Sequence, residues 1–96
     1  MKEASYQQEL KKKIQRRFPG AIVLKNDSGW LQGVPDLTIL KGNKWASLEV
    51  KKSAKESHQP NQDYYVEAMN EMSYSAFIFP ENEEEILDEL QRALEP

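Results

Sequence analysis

Asp36, Glu49 and Lys51 are the residues of this chain whose types and spacing could do chemistry. They flank Gly42-Asn43, and a Gly-Asn pair between two β-forming runs signals a two-residue β-hairpin. With that loop Lys41 pairs with Lys44, and Asp36 falls directly opposite Glu49. Directly opposed Cβ atoms lie about 4.5–5.5 Å apart, where like charges destabilise a strand pair. Two facing carboxylates therefore suggest a bound cation. Mg²⁺ fits, because it prefers hard oxygen ligands, usually one or two carboxylates with waters and phosphate oxygens. Lys51 lies two residues past Glu49 and so on the same face. Its ammonium could steady a developing negative charge or help activate a water.

The elements that must position these groups can be read from periodicity. In the hairpin one face holds Leu37, Ile39, Ala46, Leu48 and Val50. The other holds Asp36, Thr38, Ser47, Glu49 and Lys51, with Leu40 and Trp45 near the turn. Residues 2–17 form an amphipathic helix with a Tyr6, Leu10, Ile14 stripe that Phe18 continues, and Pro19-Gly20 ends it. Residues 21–25 are a short, mostly buried strand, followed by turn residues 26–29. Pro60 suits the first turn of a second helix, with Tyr65, Met69 and Met72 on its stripe and Ala68 beside them. Gln62 falls on that same buried face, where an amide needs partners. Residues 75–79 are a last strand. Asn82 and Glu85 form a capping box for a final helix carrying Ile86, Leu87, Leu90, Ala93 and Leu94.

At 96 residues the chain is expected to be one domain, spanning 1–96. It has no cysteine, so disulfides and thiolate metal sites are excluded. No apolar stretch approaches the length of a membrane span, and residues 1–6 contain no apolar signal region. A cytoplasmic protein without membrane contact is the expectation. The net charge of −3 hides an asymmetry. Residues 1–55 hold twelve Lys/Arg against five Asp/Glu, and residues 56–96 hold one against eleven. That pattern suggests a polyanion partner on one side, or two solvated helix faces of opposite bias.

Gly33-Val34-Pro35-Asp36, then Glu49-Val50-Lys51 after a hairpin, resembles the PD-(D/E)xK nuclease superfamily. It is most similar to the small stand-alone VRR-NUC family, whose relatives include Holliday-junction resolvases. The resemblance spans roughly Glu3 to Phe79. ExK alone is a weak motif, whereas GxPD joined to it through a tight turn is considerably stronger. The resemblance implies an α/β fold with a restriction-endonuclease-like αβββαβ core: a mixed sheet of about four strands flanked by helices, plus a C-terminal helix. It implies that Asp36 and Glu49 hold the metal, with the Val50 carbonyl joining them, and that Lys51 acts on the attacking water. It carries an N-terminal-helix glutamate onto Glu3 as a further acid, with Glu9 the alternative; a first-turn glutamate favoured by the helix dipole is the other reading of Glu3. Pro60-Asn61-Gln62 matches the family's proline-x-glutamine, which gives Gln62 the task of positioning Lys51 or a metal-held water.

Lys25 fits a basic position at the end of the family's first strand, or is an edge lysine that deters strand pairing. Lys52 and Lys55 cluster with Lys51 as a phosphate-contacting surface, or belong to a solvated loop. Trp30 and Trp45 either pack over the sheet or stack on a base or ribose. His58, lacking a partner in the sequence, stays outside the core site. The expected function is Mg²⁺-dependent endonucleolytic hydrolysis of DNA, with Mn²⁺ substituting. Selectivity for branched DNA such as four-way junctions, and a homodimer presenting two sites, follow from the family analogy. The alternative is a catalytically inactive nucleic-acid-binding or assembly module on the same fold.

Overall fold

The runs around Gly42-Asn43 fold as their period-two pattern requires. In the computed structural model, which describes residues 2–96, β2 (Leu37–Lys41) and β3 (Lys44–Val50) form an antiparallel hairpin. Lys41 pairs with Lys44 and Leu37 with Leu48, the expected register. Gly42 takes φ +61°, which suits the first loop position of a type II′ turn. β1 (Ile22–Lys25) adds antiparallel to β2, and β4 (Tyr74–Ile78) adds parallel to β3. The result is a mixed four-stranded sheet in the order β1-β2-β3-β4. Three helices complete an α/β fold: α1 (Glu3–Arg17), α2 (Gln62–Met72) and α3 (Glu83–Leu94), with a 3₁₀ turn at Pro80–Asn82 before α3.

One face of the sheet carries the core. The α1 stripe Tyr6, Leu10, Ile14 and Phe18 packs with Leu37, Ile39, Ala46, Leu48, Val50 and Ile78, and with Ile86, Leu87, Leu90 and Leu94 of α3. Burying each large apolar side chain contributes about 1.5–3 kcal/mol, and packing rather than propensity holds helices this short. Tyr6 donates its hydroxyl to Glu83 Oε1 at 2.9 Å. Lys13 pairs with Glu83 at 2.7 Å and Arg17 with Asp88 at 2.5 Å. Two of the twelve basic groups and two of the eleven acidic groups therefore serve contact between α1 and α3.

The opposite face is divided. A parallel strand pair needs a crossover connection, and α2 is that crossover, so it lies over β3 and β4. Beneath it Ser47 and Ser75 are buried and share a 2.8 Å hydrogen bond. The β1–β2 half of the same face has no helix over it. Ile22, paired with Leu40, is 56% exposed, and Leu24 is 45% exposed. The expectation of a mostly buried first strand over 21–25 therefore fails: only Ala21 and Val23 pack against the core, and both are half-buried.

Three local expectations also change. On α2 the buried position is Val66, one turn after Gln62, while Met72 is 74% exposed. β4 ends at Ile78, before Phe79. Asn82 makes no capping box with Glu85; its side chain turns back to the Phe79 amide and the Phe77 carbonyl and closes the 3₁₀ turn. Among the described residues no helix is long and apolar enough to cross a membrane.

Candidate functional site

The site lies at one end of the sheet, where β3 runs out and the loop from β1 delivers Asp36. The β2–β3 ladder stops at Leu37 and Leu48. The next bond is made by a side chain, as the Val50 amide donates to Asp36 Oδ2 at 2.8 Å. Asp36 is thereby fixed beside Glu49 and Val50 at the last turn of the strand pair.

Glu49 is 3% exposed, held under the start of α2. Gln62 Nε2 donates to its Oε2 at 2.9 Å, and Lys51 Nζ stands 3.9 Å from the same oxygen. The other oxygen, Oε1, is buried and finds no donor. Burial first, then the charge and closeness of the Asp36 carboxyl, push Glu49 up to about 8, against the pull of Lys51. A shared proton, an ordered water or a cation can satisfy such an oxygen between two acids. The donor set thus fits a hard divalent ion. Among the described residues no three acidic or imidazole groups converge into a ready-made cage. Two carboxylates with solvent and phosphate oxygens are nevertheless a usual Mg²⁺ shell.

Lys51 is 2% exposed, and its ammonium is surrounded by acceptors. It donates to Gln62 Oε1 at 2.7 Å and to the Ser57 carbonyl at 3.2 Å, with Glu56 Oε2 3.7 Å away. A buried charge is tolerated only with such pairing. Gln62 is the joint of the site: its amide nitrogen holds Glu49, and its oxygen takes both Lys51 and the Gln59 amide, the latter at 2.8 Å. Its place follows from backbone geometry. Asn61 sits at φ +76° and Gly33 at φ +91°. A Cβ on Gly33 would meet Asn61 Cβ at 2.6 Å. The missing side chain of Gly33 thus leaves room for Asn61, the residue just before α2.

Glu3, at the start of α1, reaches the same cluster. Its carboxyl is raised by burial, then by hydrogen bonding and repulsion from Glu56 and repulsion from Asp36, while Lys51 lowers it. Glu9 is exposed and interacts instead with Tyr6 and Lys13. Of the two acids, only Glu3 is brought together with Asp36. Val50 is fully buried, and its amide is committed to Asp36. Lys25 stands exposed at the site end of β1, paired with Leu37. Lys52 and Lys55 are exposed in the loop after β3. Among the described residues none of these three lysines makes an ion pair.

Two groups escaped the sequence reading. Glu56 accepts the Lys52 amide at 2.7 Å and faces Lys51. Despite desolvation, that amide bond together with Glu3, Lys51 and Lys52 holds its carboxyl below the usual range. His58 has a partner after all: Nδ1 lies 2.7 Å from Asp63 Oδ1, and its ring stacks on Phe77 at 4.1 Å. Phe77 is the register neighbour of Glu49, so the histidine roofs the strand pair beside the acid. Asp63, five residues on across a helix start, was the available signal for His58; Glu56 offered none. Trp30 packs on nothing, with 92% of its surface exposed. A scan of protein-family models found no match to this chain, and searches of curated proteins and of solved structures found none either.

Proposed function

We propose that this chain is a metal-dependent DNA endonuclease of the PD-(D/E)xK type, similar to the VRR-NUC family and built on a restriction-endonuclease-like core. The observation that carries the reading is the orphaned Glu49 Oε1, buried beside Asp36 and within one hydrogen-bond network of Lys51 and Gln62. A purely structural carboxylate at this depth would have its oxygens satisfied.

Asp36 and Glu49 would hold Mg²⁺ or Mn²⁺, with the Val50 carbonyl and Glu3 as further oxygen donors. When bound, the ion would polarise a phosphate oxygen and lower the pKa of a water. The chain's own groups do the rest. Lys51, fixed by Gln62 and Ser57, presents a cation to the charge that develops on the phosphate. Gln62 keeps that ammonium aligned with Glu49. Lys25, Lys52 and Lys55 supply non-specific phosphate contacts. With little surface for reading bases, selectivity rests on DNA shape, and branched or four-way-junction DNA cut by a homodimer is the substrate this reading favours.

The test is cleavage of a four-way junction and of a linear duplex with Mg²⁺, Mn²⁺ or EDTA. Metal-dependent cutting that favours the junction and vanishes in Asp36→Ala supports the reading. Junction cutting no better than duplex cutting removes the branch preference. Wild-type protein that binds DNA but never cuts with either ion establishes the inactive binding module instead.

A further inference from the structure

We infer that Trp30 is a stacking platform for an unpaired nucleobase, held beside the proposed cleavage site; this deepens the nuclease reading and rests on it. The loop between β1 and β2 is fastened at both feet by Asn26. Its amide donates to the Asp36 carbonyl at 2.8 Å, and its side chain donates to the Pro35 carbonyl and to Thr38 Oγ1, both at 2.8 Å. Inside the loop Asp27 takes the Gly29 amide on Oδ1 at 2.8 Å and the Trp30 amide on its carbonyl at 3.1 Å. Farther along, Gly33 abuts Asn61 and Pro35 is fully buried. The backbone is thus pinned on both sides of an indole that faces water.

A large aromatic side chain gains several kcal/mol on burial, and this loop gives it no partner. Its neighbours define the ligand. Asp36 follows Trp30 by six positions, at most about 20 Å of chain, which is the rise of about six stacked bases. Lys25 stands exposed at the loop's first foot. Ser28, Gly29 and Gln32 surround the indole in sequence, with Leu31 partly exposed. An exposed indole next to Leu31, beside a cation and a candidate phosphate site, matches a flat π-face attached to an anionic backbone. In a continuous duplex such faces are already stacked. They become available at flaps, ends and branch points, so the platform would select DNA with a break in its stacking.

The chain has two tryptophans, so Trp45→Phe leaves Trp30 as the only indole. In EDTA, this variant is titrated with a DNA hairpin carrying an unpaired flap and with a blunt, fully paired hairpin of equal length. The flapped DNA is expected to quench the emission and the blunt DNA to leave it unchanged. Trp30→Ala in the otherwise native chain should weaken flap binding about five- to hundredfold and spare blunt binding, while Trp30→Phe recovers part of the loss. Equal affinity for both DNAs without quenching overturns the platform and leaves the nuclease reading standing. Failure to bind either DNA removes both. Quenching by protein concentration alone, with a doubled mass in sedimentation, assigns Trp30 to contact between copies and overturns the inference.

Discussion

The two halves of one sheet face are treated differently. Over β3 and β4, α2 and the loop before it bury Ser47, Glu49, Lys51 and Ser75 to 5% exposure or less. Over β1 and β2 on this face none of the described helices packs, and Ile22, Leu24 and Leu40 meet solvent. The usual placement of residue types is reversed, with polar groups inside and apolar groups outside. The candidate site occupies the seam. Burial on one side raises Glu49 and sharpens its interaction with Lys51, while the open side leaves room for a substrate the size of a nucleic acid. A site deeper under α2 would be inaccessible. One placed over β1 would lack the desolvation that perturbs its acids.

The contrast can be broken at several points. The largest effect is expected from Lys51→Ala, which strands Glu49 and Glu56 without their cation. A cost of about 3–5 kcal/mol in urea unfolding is expected, and a cost below 1 kcal/mol would mean that the covered half is wet. Next is pH. The Glu49 carboxyl is raised in the folded chain, from 4.5 to about 8. Between those values the folded state binds more protons than the unfolded one, so stability falls as pH rises. The metal-free protein should lose a few kcal/mol between about pH 4.5 and 8 and then level off. Glu49→Gln should flatten that slope, and Mn²⁺ added at pH 8 should restore stability in the native chain but not in this variant.

Gly33→Ala comes third. Positive φ and the approach of Asn61 together are expected to cost about 2 kcal/mol and to reduce cleavage more than DNA binding, because both Asp36 and Gln62 shift. The smallest effect belongs to the bare half. Ile22→Ser and Leu24→Ser should each change monomer stability by less than about 0.5 kcal/mol. A larger loss that depends on protein concentration would show that a second copy covers this face in solution.

The hairpin was legible because its information is local. Gly42 sets the turn, alternation sets the faces, and together they place Asp36 against Glu49 without any long-range contact. The α1 stripe and the inward direction of Gln62 were legible for the same reason. What the sequence did not disclose depends on how elements stack. Only the crossover over β3 and β4 decides that the polar hairpin face is buried and that β1 is not. The Met72 assignment failed because the inward face of α2 runs through Gln62, Val66 and Met69, which meets Ser47, and leaves Met72 exposed at the helix end. Glu56 and His58 sit in a polar loop without periodicity, and their partners Lys51 and Phe77 come from other elements. Whether Trp30 covers the sheet or faces solvent was left open by the sequence, because it depends on how the loop between β1 and β2 lies, which no local pattern sets.

The carbonyl of Ser57 that grips Lys51 has a consequence for how this chain can vary. A main-chain oxygen is supplied equally well by any amino acid, so position 57 can drift in composition without loosening the ammonium, whereas Glu56, whose carboxylate stands 3.7 Å from it, cannot. Its length has no such freedom. One residue added or removed would carry a different carbonyl past Lys51 and draw the Gln59 amide away from Gln62, so apart from Glu56 and His58 tolerance here is set by spacing more than by spelling.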